Sequence, residues 1–391
     1  MSAHIVFHRL AVAIVALIAG GTLLPRCAGI KIERPLHNQQ GDWPTFAGSA
    51  SRTALANRTI VPPLVQQWEF DVTAGIGNGS PLMVDSTLII GNLRGELYVA
   101  DGRTGKRIGW IKLGEAIQGS PVVDGSMVYV AVSNSNESLL AVDLRDGKIK
   151  WKHDYGDVEV SPLLLNRYLY FGNTRGDFFC VEPIRGEVVW KYEIPENKLH
   201  HGFLSSPAGV GSLVVVGGEN GIVYGFDAEK GTVRWIFKTG ADVFATPSIA
   251  DSLVFIGNHA GTMFALDLQS GRMQWRFESG SPIYGNAAVA DRGVFFGNLA
   301  GGLIALQTDN GAELWRNVLG SPINSGPAVT GNYLYIGTLK KFLFAVRVRD
   351  GSIAWSKELS GRVKTSPAAV NGQLLVATDD WVVLSFKGSA E

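Results

Sequence analysis

Three sets of residues in this chain have types and spacings that suggest chemistry. His200-His201 offers two imidazoles of the kind that bind transition metals, which is half of a metal site. Adjacent residues on a strand point to opposite faces, so the pair does not converge on one ion. It reads instead as a polar loop between two units, and no metal ligand set is assigned. Asp101, Asp143, Asp227 and Asp267 suggest paired carboxylates for acid–base work. Each recurs once per unit beside a glycine turn, where an aspartate side chain caps the turn backbone. No Gly-x-Ser-x-Gly elbow, His-Glu-x-x-His helix or Walker-type loop occurs, so no catalytic residue is assigned. The third set lies two residues ahead of a recurring small-residue–proline pair. In order it reads Asn78, Gln118, Glu159, Leu204, Phe244, Tyr284, Asn324 and Lys364. The proline pair hardly varies, while this neighbour changes chemistry from copy to copy.

The elements that position these residues follow from a repeat. Tryptophans at 68, 110, 151, 190, 235, 275, 315 and 355 are spaced by 42, 41, 39, 45, 40, 40 and 40 residues. A small residue precedes proline at Ser80-Pro81, Ser120-Pro121, Ser161-Pro162, Ser206-Pro207, Thr246-Pro247 and Ser366-Pro367. Asn286-Ala287 and Gly326-Pro327 fill the two remaining places. A period near 40 signals a repeat architecture. In the copy at 246–278, apolar runs of four or five residues are separated by Gly, Asn, Asp and Ser, as hairpin turns require. No run is long or periodic enough for a helix. Four short strands per copy, repeated radially, predict an all-β, eight-bladed propeller of four-stranded antiparallel blades.

The phase of the first and last copies predicts how the ring closes. The C-terminal copy has three strand-like runs, ending with Trp381-Val382-Val383-Leu384-Ser385-Phe386. Val65-Gln66-Gln67-Trp68-Glu69-Phe70 is an orphan fourth strand. Pairing the two completes the eighth blade and removes the free edges of an open array. First strands line the axis of a propeller, so the eight variable residues are expected to ring one mouth of the central channel. Leu204, Phe244 and Tyr284 then form an apolar sector with a polar rim, the composition of an interaction site. The repeated tryptophans are expected between blades as core.

Composition and the N-terminus bound the setting. The 391 residues carry 35 basic and 35 acidic side chains. That balance lacks the basic footprint of a nucleic-acid-binding protein. Residues 10–24 are apolar and small, preceded by Arg9. Such a stretch is short for a membrane span, which needs about 20 residues, and fits the core of an export signal. Leu24-Pro25-Arg26-Cys27 resembles a lipobox in Leu24 and in the placement of Cys27, and departs from it at Pro25 and Arg26. Lipidation at Cys27, ordinary cleavage nearby and an uncleaved anchor are the three fates. The organisation expected is an export signal over 1–27, a tether and N-terminal motif over 28–61, and one propeller over 62–388. Cys180, in a strand-like run, is expected as a small core residue.

Ala265-Leu266-Asp267-Leu268-Gln269-Ser270-Gly271-Arg272-Met273-Gln274-Trp275 resembles the repeat of the pyrroloquinoline-quinone-type propellers, and Asp42-Trp43-Pro44-Thr45-Phe46-Ala47-Gly48 resembles their N-terminal motif. No Trp-Asp dipeptide of the WD40 class occurs. Quinoprotein dehydrogenases in that superfamily carry quinone- and calcium-binding loops and two adjacent cysteines. Here the cysteines lie 153 positions apart, and no blade carries a large insertion. Length, blade number and leader are similar to the BamB family of outer-membrane assembly lipoproteins, which has no cofactor. The resemblance implies a non-catalytic, exported, monomeric scaffold that binds an envelope protein. An outer-membrane β-barrel assembly component is the partner it implies, with the periplasm as location and Cys27 as outer-membrane anchor. It also implies a partner contact at two loops. His201-Gly202 stands where that family has Arg-Gly, one residue farther from Ser205-Ser206-Pro207. Asp242 matches the first aspartate of an Asp-x-Asp, and Phe244 replaces the second. The alternatives are a quinone-dependent dehydrogenase and a sugar- or peptide-binding propeller.

Overall fold

The computed structural model describes residues 29–195 and 201–388. Among them, the strands form eight sheets around one axis. Blades 1 to 7 comprise residues 82–112, 122–153, 163–193, 208–238, 248–278, 288–318 and 328–358. Blade 8 comprises residues 368–388 and the early strand Leu64–Asp71. In blade 5 the strands are Ser248–Ala250, Leu253–Gly257, Thr262–Asp267 and Met273–Glu278. The second strand is buried on both faces from Val254 onward, and the third from Thr262 to Leu266. Such strands read as continuous apolar runs because blades stack on either side of them. The fourth strand alternates, with Trp275 buried and Arg276 exposed. Asp267 caps the turn before it as expected, accepting the Ser270 N–H at 2.8 Å. Gly271 takes φ +66° there, and a Cβ would stand 2.5 Å from the Trp235 ring of the preceding blade.

The ring closes as the sequence predicts. Leu64–Asp71 runs antiparallel to Val382–Gly388, pairing Trp68 with Ser385 and Phe70 with Val383. Trp68 then bridges to blade 1, donating its indole N–H to Gly102 O at 3.1 Å. Trp151, Trp190, Trp235, Trp275 and Trp315 repeat this bond to the next blade, at 2.7–3.0 Å.

Trp110 breaks the pattern. Trp275 pairs with Ala265 in blade 5, whereas Gly109 pairs with Val99 at the matching place in blade 1. Trp110 is one residue out of register and stacks on Tyr98, with centroids 6.2 Å apart. The segment around Ile30 and Ile32 occupies the vacated crevice between blades 1 and 2. Ile32 N–H donates to Leu144 O (2.9 Å), the carbonyl equivalent to the one a tryptophan binds elsewhere. Ile30 is 1% exposed, and its backbone lies against Gly147. The stretch 29–41, read as a tether, is therefore docked on the ring.

From Trp43 onward the chain runs around the axis. Trp43 exchanges backbone hydrogen bonds with Met83 of blade 1. The carbonyls of Pro44, Ala50, Ser51, Thr53 and Ala54 accept N–H groups from the first strands of blades 2, 4, 5, 6 and 7. Leu55–Ala56 adds a parallel strand to blade 7. The Tyr335 hydroxyl donates to Ile60 O at 2.8 Å, and the chain then leaves for its place in blade 8. Residues 43–60 thus form a plug inside the channel. Sequence patterning did not reveal it, because its bonds are made by backbone groups that carry no residue signature.

Candidate functional site

The small-residue–proline marker has a structural cause. Ser80 N–H donates to Ser120 Oγ (2.8 Å), Ser120 N–H to Ser161 Oγ (2.8 Å), and Ser161 N–H to Ser206 Oγ (3.0 Å). Gly326 N–H does the same to Ser366 Oγ at 2.9 Å. Hydroxyls of successive blades thereby satisfy backbone donors that have no ladder partner at the axis. Two residues earlier, in the loop that leads into the first strand, a side chain lines the channel mouth. Its neighbours Val243, Ile283, Ile323 and Val363 are buried instead, against the closing glycine of the preceding blade's second strand.

All eight variable residues line one cavity of about 200 Å³. Phe46 of the plug lines it as well, and the plug's bonds to first strands around the axis block passage through the channel. Phe244 and Tyr284 stack, with centroids 5.5 Å apart and planes 14° from parallel. Leu204 lies on the wall beside them. Those three residues are half-buried, and Asn78 is exposed. Burial, with Asp242 nearby, raises the Tyr284 hydroxyl above its ordinary range. Burial likewise raises the Glu159 carboxyl, helped by the charges of Asp157 and Glu219. On the far wall, Lys364 stands 3.7 Å from Asp379.

His201 and Asp242 are placed differently from the three apolar residues. Neither lines the cavity. Asp242 is exposed, and its backbone carbonyl accepts the His259 N–H. Gly202 N–H, next to His201, donates to the Glu219 carboxylate at 2.7 Å. His200 and Cys27 lie outside the described residues. Cys180 is buried and unpaired, and burial pushes its thiol up to about 12.

Sequence reasoning missed His259. It lies in the turn between the second and third strands of blade 5, and its N–H donates to Asp242 O at 2.8 Å. Its ring meets Phe244 and Tyr284 edge-on, at 5.8 and 5.3 Å. The available signal was an aromatic directly after the recurrent Gly-Asn of that copy. Phe46 and Arg52 were missed as well, because they belong to the plug. Arg52 is fully buried. It donates to Thr45 Oγ1 and Phe46 O (2.6 Å each), Pro162 O (3.0 Å) and Pro207 O (3.1 Å). Loss of solvation on burial lowers its pKa to about 9.

The residues present do not fit a quinone with calcium. Calcium takes six to eight oxygen ligands, usually including carboxylates, and no group of three His, Cys, Asp or Glu side chains converges among the described residues. The cavity, at about 200 Å³, is also below the roughly 300–1,000 Å³ of typical small-molecule sites.

Comparisons with known proteins point to two kinds of propeller. A family profile described as outer membrane protein assembly factor BamB matches residues 65–201, 195–324 and 299–389. The quinoprotein ethanol dehydrogenase of Pseudomonas aeruginosa is 29% identical over 145 residues, covering 35% of this chain and 22% of that protein. The outer membrane protein assembly factor BamB of Legionella pneumophila is 24% identical over 184 residues, covering 44% of this chain and 46% of its own length. The match thus spans less than half of each of these curated relatives. Among solved structures, BamB from Moraxella catarrhalis superimposes with a TM-score of 0.73 at 18% identity, covering 83% of this chain and 99% of that one. At that identity the likeness establishes the fold.

Proposed function

Because the chain belongs to the outer membrane protein assembly factor BamB family, we propose that it is a non-catalytic, exported scaffold that binds another envelope protein at the open mouth of its ring. The observation that carries this reading is the cluster of Phe244, Tyr284 and His259 beside Leu204, held at the rim of a channel closed from below. Aromatic side chains with a polar surround are the usual anchors of a protein interface. His201 and Asp242 flank that sector as the polar part of the contact. The assembly role for which the family is named makes an outer-membrane assembly component the partner to seek first.

The test pairs affinity with stability. A partner is recovered from envelope extracts, identified, purified and titrated against the wild type and Phe244→Ala. Hot-spot truncation costs at least about 2 kcal/mol, near thirtyfold in affinity. A loss of that size with a small change in Tm supports the interface. Unchanged affinity moves the contact elsewhere, and a collapse in Tm makes Phe244 a packing residue.

The anchor is a separate proposal. If Cys27 is lipidated, Cys27→Ser moves the protein from membranes to the soluble periplasmic fraction; unchanged membrane association removes lipidation. The second reading, a quinone-dependent dehydrogenase, rests on the relative from Pseudomonas aeruginosa. Stoichiometric quinone absorbance or calcium in protein purified from its native host would replace the scaffold reading with that one.

A further inference from the structure

The cup divides by charge and polarity. Blades 7, 8, 1 and 2 contribute Asn324, Lys364, Asn78 and Gln118, a wall of amides and one ammonium. Blades 4, 5 and 6 contribute Leu204, Phe244 and Tyr284. Glu159 of blade 3 lies at one boundary between these halves. Beneath the mouth is the Arg52 guanidinium, whose four hydrogen-bond acceptors are all neutral oxygens. No carboxylate pairs with it among the described residues. A buried charge without a counter-ion acts over several ångströms, since little solvent screens it. Arg52 thus places positive charge beneath the cup, Lys364, itself 3.7 Å from Asp379, adds a second cation on the wall, and the Glu159 carboxyl lies on the wall of blade 3.

The plug decides what shape of ligand fits. A channel open at both ends accepts a chain passing through it, whereas this one is blocked by the plug. An occupant must enter and leave by one mouth, so it must present an end. A cavity of about 200 Å³ corresponds to about six or seven waters at roughly 30 Å³ each. That is room for one terminal residue and not for a folded segment.

We propose that the cup captures the free carboxyl end of a polypeptide whose last residue is apolar. The carboxylate lies toward Lys364 and its amide neighbours, above the Arg52 charge, and the last side chain lies on Leu204, Phe244 and Tyr284. Capture of chain ends by converging donors is a recurrent recognition mode. The proposal rests on the reading of this mouth as a protein-binding site and specifies which part of the partner enters it. On the side of the cup away from Glu159, Arg52 and Lys364 favour a carboxylate over an ammonium group.

The experiment uses the full chain and fluorescence anisotropy of a labelled octapeptide ending in leucine, as the free acid and as the C-terminal amide. The free acid is expected to bind at least tenfold more tightly than the amide. Lys364→Gln should remove most of that difference. Equal affinities for acid and amide, or a difference that survives Lys364→Gln, would overturn carboxylate capture. If binding nevertheless falls in Phe244→Ala, the apolar mouth remains a peptide site and only the chain-end assignment is lost. Preference for the acid with no effect of Phe244→Ala would instead undo the apolar contact on which the broader reading rests. Displacement by 3-phenylpropionate at the peptide's own affinity would identify a free organic acid as the occupant and overturn the polypeptide assignment.

Discussion

Two neighbouring crevices flank blade 1, and they are filled by different means. Between blades 8 and 1, Trp68 lies over Gly105 and donates to Gly102 O, using a side chain that belongs to the repeat. Between blades 1 and 2, the tryptophan is out of register, and Ile30 and Ile32 arrive from outside the repeat to occupy the space. The contrast shows that the space must be filled, but not by which part of the chain. A bulky side chain and a short backbone segment satisfy the same carbonyl and cover the same glycine. The second solution also fastens the N-terminal segment to the ring before it turns inward as the plug.

The largest effect is expected from breaking the first crevice. Trp68→Ala removes a large ring that is 8% exposed and should cost roughly 3–5 kcal/mol, read as a lowered denaturation midpoint. Removing residues 62–72 should do more, because it unpairs the whole edge of Val382–Gly388. An unchanged midpoint would show that the ring closes without this strand. Ile30→Ala breaks the second crevice and should cost about 2–4 kcal/mol. Limited proteolysis should then cut within 29–41 sooner than in the wild type. Trp110→Ala should cost about 1 kcal/mol, the scale of one exposed-side aromatic pair, because Ile30 and Ile32 have taken over its place. A loss as large as that of Trp68→Ala would mean that the two crevices are alike after all.

A pH series sharpens the comparison further. Asp143, in the turn that receives Ile32, is held far below the ordinary carboxylate range by hydrogen bonds from the Arg145 side chain, against the opposing effect of its burial. A depressed carboxylate stabilises the fold above its unfolded pKa, near 4, and that contribution fades as pH falls toward the folded value. The gap in Tm between the wild type and Asp143→Asn should therefore be widest above pH 5 and close as pH falls toward 2. A gap that is constant with pH would assign the effect to lost hydrogen bonds alone.

What the sequence disclosed follows a physical division. Blade count, strand order and ring closure were legible because side-chain spacing dictates them: tryptophan bridges six of the crevices, and a serine hydroxyl receives a backbone donor at four of the axis positions. The ring of residues at the mouth was legible for the same reason, as a variable place beside an invariant one. The one-residue slip at Trp110 was visible only as an unremarkable spacing, since a bulge can absorb one residue. Residues 43–60 have no period, and their contacts run through carbonyls that any residue type supplies. Arg52 carried no sign of burial, because arginine is mostly exposed. His259 was not legible because it comes from a turn between the second and third strands, remote in sequence from the proline marker that betrays the ring.

The path of the plug also constrains the order of folding. Leu55 pairs with Val329, and Ile60 N–H binds Thr330 Oγ1 across a separation of 270 residues. Contacts this distant in sequence are slow to form, because a long loop must close before they return any stabilisation. A chain emerging N-terminus first holds residues 43–60 ready long before the blades that receive them exist. The leading residues of the plug can meet blades 1 and 2 as these appear, but Leu55 and Ile60 find their partners only once blade 7 is complete. Final consolidation is therefore a late event that requires nearly the whole chain, and a chain truncated before blade 7 would leave residues 55–60 without a berth.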